Sequence, residues 1–198
     1  MVSSDCDNAE SIVQFGPSTR ALMQYPRSLY GMAFHEAAHA VAGILHGGTL
    51  TEARIIPGRV KAGVLGGPRG STTFTGLAAT RHPEVAFAGV WGQARGIAGR
   101  RPGWHEIRAA LDGTGCHDKQ VLTAAGGESA GDAITPLLER CWPSVAELAA
   151  KLHQTGKVSH ADVLAALRLS ADPDTRALET AAIKSGMAPG SFTVSRPS

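Results

Sequence analysis

Apolar positions first become regular at Met32. From there to Leu45 they fall at Phe34, Ala37, Ala38, Val41, Ile44 and Leu45, the i, i+3, i+4, i+7 spacing of a helix with one face in a core. Ser28 is placed to cap its start, and Gly47-Gly48 to stop it. The period then changes. Between Leu50 and Thr75 the chain is rich in Gly, Val, Ile and Thr, which predicts short strands at Glu52 to Ile56 and Val60 to Leu65, joined near Pro57-Gly58, and a third at Ser71 to Thr75. Pro83 fits the first turn of a second apolar helix, through Val85, Phe87, Ala88, Val90, Trp91, Ala94 and Ile97 to a stop near Gly99.

Shorter helices follow at Trp104 to Leu111 and from His117 to Ala125, the latter ended by Gly126-Gly127. The segment Ala130 to Leu152 reads as helical with Pro136 and Pro143 as kinks or breaks, and Ser159 with Asp162 three positions on forms a capping box for a helix through Leu169. The pattern predicts a mainly α fold with a small β-sheet after the first helix. No internal repeat divides it, so residues 21–188 read as one domain, between a polar N-terminal arm over 1–20 and a tail over 189–198.

Composition narrows the class. With 198 residues and 43% hydrophobic content the chain can bury a core, and aromatics at 5% beside 24 glycines mean a core of Ala, Val, Leu and Ile. A net charge of +2, with no basic cluster beyond Gly99-Arg100-Arg101, argues against nucleic acid as a partner. No apolar run approaches the roughly 20 residues that span a bilayer, so no membrane insertion is expected. Cys6, Cys116 and Cys141 are an odd set without paired spacing, which suits a reducing compartment; the chain reads as cytoplasmic. Cys141, beside Trp142, reads as a small core hydrophobe.

The candidate chemistry lies inside the first helix, where His35-Glu36-Ala37-Ala38-His39 spells HExxH. Residues four apart on a helix stack on one face, so His35 and His39 can hold one zinc ion while Glu36 serves as general base towards its water. A helix this apolar would be buried, and two imidazoles and a carboxylate inside it need partners. A metal supplies them.

Catalytic zinc takes three protein ligands and leaves a fourth position open, so a third must come from elsewhere. The extended form HExxHxxGxxH would need glycine at 42 and histidine at 45, where this chain has Ala42 and Leu45. Glu84 or Glu106 on a later helix could serve. Asp118, at the start of a helix, is another candidate. Its neighbour His117 points about 100° away and Cys116 offers a softer donor, so only one of them can be expected to face the site.

At this point the sequence resembles a known family. Ala33-Phe34-His35-Glu36-Ala37-Ala38-His39-Ala40-Val41 is similar to the AYHEAGHA stretch of the FtsH-type ATP-dependent zinc proteases, and Ala53 to Gly58 to their strand ending in IIPRG. Val90 to Gly99 resembles their LLGGRAAEELVFG helix, and Thr114-Gly115-Cys116-His117-Asp118 their TGASND, whose aspartate is a zinc ligand. These blocks occur in the family's order, and weaker similarity extends the match over roughly Ser28 to Leu169.

The resemblance implies an FtsH peptidase-domain-like fold, with His35, His39 and Asp118 as ligands and Glu36 as the catalytic residue. Ala38 stands where the family has glycine, and the acidic pair of its second helix is replaced at Gly96-Ile97. Usual members carry membrane spans and an AAA ATPase module; this chain has no GxxxxGK[ST] loop and is expected to be a stand-alone peptidase domain. The expected function is that of a zinc metalloendopeptidase acting on peptide or unfolded protein, served by a separate ATPase or a homo-oligomer. Two alternatives stay open: a non-catalytic interaction or regulatory module that keeps fold and metal, and a zinc peptidase of another clan with Glu84 or Glu106 as third ligand.

Overall fold

A computed structural model describes residues 29–57, 60, 61, 64, 65 and 67–191. The N-terminal arm, the Ser28 cap, the Gly58 end of the first strand connection and residues 192–198 lie outside the described residues. The architecture is mainly helical with a small antiparallel sheet.

Helix α1, Leu29–Leu45, forms the middle of the molecule: every residue from Gly31 to Leu45 is buried. It is an apolar helix with no charged face, and neighbours cover it on all sides. Helix α2, His82–Ala98, packs along one side and the later helix α6, Trp142–Thr155, along another, while the sheet covers a third. α2 begins with Pro83 in its first turn and stops at Gly99, whose φ of 66° closes the last turn with an N–H to the Arg95 carbonyl.

The sheet holds β1 (Thr49–Ile56), β4 (Arg69–Thr75) and β5 (Lys157–Val158) in the order β4-β1-β5, and β2 (Val60–Lys61) with β3 (Val64–Leu65) forms a separate two-stranded ribbon. The stretch read as one strand over Val60 to Leu65 therefore holds two short antiparallel strands, Val60 opposite Leu65. β1 starts at Thr49, earlier than its pattern suggests, because a bulge shifts the register against β4 between Leu50 and Glu52. Leu50, Ala53 and Ile55 are the inward residues, so alternation fails at the bulge and resumes after it.

The remaining helices are α3 (Trp104–Gly113), α4 (Cys116–Ala124), α5 (Thr135–Arg140), α7 (His160–Ala166) and α8 (Pro173–Ser185). Of the two readings of Pro136 and Pro143, kink or break, the break is the one found. Each stands in the first turn of its own helix, α5 and α6, where a missing N–H leaves no bond unmade. α7 has the expected capping box, with Ser159 Oγ accepting from Asp162 N and the Asp162 carboxylate accepting from Ser159 N, but it ends at Ala166 and Arg168 takes a φ of 57°.

α8 was not anticipated. Its apolar stripe is thin, with Ile183 alone buried; the legible sign is Asp172-Pro173, since Asp172 Oδ2 accepts from Thr175 N at 3.0 Å. Residues 188–191 close in a turn, Ser191 N donating to Ala188 O.

Two apolar clusters make up the core. One joins α1, the sheet, α6, α7 and Ile183 of α8; the other gathers α2, α3, α4 and α5 around Phe87, Trp91 and Leu111. Phe74, Leu137 and Trp142 touch both. Cys141 is fully buried in the first, where burial pushes its thiol up to about 12, so it packs as a neutral hydrophobe. Among the described residues, no helix is long and apolar enough to cross a membrane.

Candidate metal centre

α1 carries His35, Glu36 and His39 into the interior, where they are 4%, 4% and 9% exposed. Three polar side chains at such depth need partners from the elements packed on α1. α2 supplies one set. It approaches closely because Gly89 lies on the His39 ring and Gly92 on the Ala38 methyl, positions where any Cβ would overlap these neighbours. Ala38 is thus accommodated by Gly92 on the facing helix.

The third converging residue arrives from α4. Asp118 stands in that helix's first turn, and Lys119 fixes the turn by bridging Asp112 Oδ1 at 2.6 Å and Glu128 Oε1 at 3.3 Å. Asp118 Oδ2 lies 2.9 Å from His35 Nε2 and Oδ1 lies 3.5 Å from His39 Nε2, while the two Nε2 atoms are 2.9 Å apart. One donor atom from each residue therefore converges within 4.8 Å, a group that could hold a metal ion. Of the other candidates, His117 is exposed and Cys116 stands outside this group. Glu84 pairs with His46 and Arg81, and Glu106 accepts from Gly103 N and pairs with Arg100. Neither converges on the histidines.

The outer nitrogens decide what the inner ones present. His39 Nδ1 is 2.8 Å from the Val85 carbonyl, which can only accept, so Nδ1 carries a proton and donates it. His35 Nδ1 lies 3.1 Å from Gln93 Oε1, which also receives the Thr114 hydroxyl at 2.6 Å. With both Nδ1 atoms donating, neutral His35 and His39 aim two lone pairs at each other and at a carboxylate. That arrangement calls for a cation at its centre.

Without a metal, a proton takes that role. Burial works against a charged His39, but the Asp118 carboxylate beside it, helped by Glu36 and the Val85 carbonyl, raises its pKa from 6.5 to about 9. Burial likewise opposes the Asp118 charge, and the two imidazoles outweigh it, holding the carboxyl well below the usual range.

The sign of the resulting pH dependence follows. His39 binds its proton more tightly folded than unfolded, so its contribution is complete below pH 6.5 and is lost as pH rises through about 9. Asp118 contributes above the ordinary carboxyl value of 3.8, and that contribution is lost as pH falls towards its depressed folded value. Thermal melts of chelator-treated protein should therefore show this pair stabilising most between pH 3.8 and 6.5, with a decline towards pH 9 that Asp118→Asn flattens.

Glu36 turns from the histidines towards β4. Thr72 Oγ1 donates to Glu36 Oε2 at 2.6 Å, and the carboxylate packs on Gly70, where a Cβ would overlap it. Sequence reasoning missed these supports, namely Thr72, Gly70, Gly89, Gln93 and Thr114. One signal was available. Gln93 is a polar residue four positions after Gly89 on a helix face whose other buried residues are apolar or glycine. If Thr72 holds Glu36 for reaction, Thr72→Val should lower kcat by about 10–150-fold with KM unchanged in steady-state peptide assays, since a hydrogen bond to a charged group is worth about 1.5–3 kcal/mol.

No protein-family model, curated protein or solved structure matches the chain.

Proposed function

We propose that this chain is a zinc-dependent metalloendopeptidase of the FtsH-type peptidase class, with His35, His39 and Asp118 as ligands and Glu36 as general base. The observation that carries the reading is the convergence of two Nε2 lone pairs and a carboxylate, each imidazole held from behind by an acceptor. Two imidazoles and one carboxylate are the donor set of an open catalytic zinc site, and soft thiolates are absent from the converging group. The order of motif blocks in the sequence supports the same class.

When bound there, zinc supplies Lewis acidity, bringing the pKa of water to about 7 and polarising a peptide carbonyl. The chain's own residues do the rest. His35, His39 and Asp118 would hold the ion, and the Asp118 carboxylate would offset part of its charge. Glu36 accepts the proton of the attacking water and returns it to the departing amine, with Thr72 and Gly70 fixing the carboxylate's orientation.

β4, which presses Thr72 and Gly70 against Glu36, is an edge strand of the described sheet. An extended peptide can add to such an edge through main-chain hydrogen bonds, which suits unfolded protein as substrate and broad side-chain tolerance. Cleavage of unfolded casein by the zinc-loaded chain, abolished by chelation and restored by zinc, tests the proposal.

A further inference from the structure

We infer that Gln93, held by Thr114, is a positioning residue that sets His35 for metal binding. The inference rests on the metal-site reading above and deepens it. Of the two imidazoles, His39 is oriented by a main-chain carbonyl, which side-chain replacement leaves in place. His35 depends on a side chain. Gln93 Oε1 stands 3.1 Å from His35 Nδ1, and the alternative amide orientation would present an N–H to that nitrogen. His35 would then need its lone pair on Nδ1 and a proton on Nε2, pointing at Asp118 and occupying the ligand position.

Gln93 is fully buried on a helix whose other buried residues are apolar or glycine. An amide there incurs a desolvation cost that methionine of similar length would avoid. Its bonds link separate parts of the site: His35 on α1, and Thr114 at the C-terminal end of α3, four residues before Asp118. One amide thus spans the first ligand and the loop leading to the third. Outer partners of metal-bound histidines orient the ring and fix its tautomer, and their loss commonly weakens metal affinity by about 10–100-fold.

The test is competitive zinc titration of wild type, Gln93→Met, Gln93→Glu and Thr114→Val, with the visible spectrum of the cobalt-substituted proteins. Gln93→Met should bind zinc about 10–100-fold more weakly and show an altered cobalt spectrum. Gln93→Glu keeps an acceptor opposite His35 Nδ1 and should bind at least as tightly as wild type. Thr114→Val, which leaves the amide in place and removes its anchor, should fall between Gln93→Met and wild type, and guards against misfolding of Gln93→Met.

Wild-type affinity and spectrum in Gln93→Met, with binding lost in His35→Ala, would overturn the role of Gln93 and leave the metal site standing. Equal weakening in Gln93→Met and Gln93→Glu would reduce Gln93 to a packing residue and overturn the inference as well. Absence of stoichiometric zinc in wild type removes the metal reading itself, and this inference with it.

Discussion

In the proposed peptidase, Glu36→Gln should keep its fold and its zinc affinity and lower peptide hydrolysis by about 10²–10⁴-fold, the range that a positioned general base contributes. Retention of structure follows from shape. Glutamine fills the same space on Gly70, and its carbonyl oxygen can still accept the Thr72 hydroxyl now bonded to Oε2 at 2.6 Å. Retention of metal follows from position, because Glu36 is not one of the three converging donors. Only the ability to take a proton disappears. The measurement is casein cleavage by wild type and variant at matched zinc content. Equal cutting by both would assign the activity to something other than this site. A wild type that binds zinc and cuts nothing would favour an interaction module that has kept the peptidase architecture.

The parts of this molecule that could be read from sequence are those whose signal is local and strong. α1 and α2 follow the 3.6-residue period over long stretches, and HExxH needs only one helix to bring its residues together. β1 was half legible, because the bulge near Leu50 breaks the alternation on which strand reading depends. Whether Pro136 and Pro143 kink or break the segment stays open in the sequence, because proline is ambiguous in isolation: it breaks a helix interior and begins a helix equally well. α8 gave almost no signal, since Ile183 is its only buried residue and the rest faces solvent or half-buried surroundings.

The site divides along the same line. His35, Glu36 and His39 come from one short segment, and Asp118, one candidate among several for the third ligand, is singled out by the resemblance. The groups that orient them come from α2, β4 and the end of α3, among them the Val85 carbonyl as well as side chains, and none stands in a local motif. Thr72 is one of several polar residues on β4, and its bond to Glu36 exists because β4 crosses α1 at that level. Gly89 and Gly92 show the same dependence on tertiary packing: a small residue is required there by what the facing helix carries.

Asp118→Ala separates the ligand assignment from its neighbours, and zinc affinity should fall by more than about 100-fold, since outer partners alone account for about 10–100-fold. The carboxylate is the only negatively charged donor in the group, so its removal takes away both a ligand and most of the charge compensation. The metal-free protein should still fold. With Asp118 gone, the Nε2 atoms of His35 and His39, 2.9 Å apart, can share one hydrogen bond if one imidazole changes tautomer. His117→Ala is the control, because that side chain is exposed and should leave affinity unchanged. Zinc titration against a competing chelator measures all three proteins. Full affinity in Asp118→Ala, or a loss confined to His117→Ala, would mean that the third ligand lies elsewhere. The pH dependence supplies an independent check: metal-free Asp118→Ala lacks the charge that raises His39 to about 9, so its stability should no longer decline between pH 6.5 and 9.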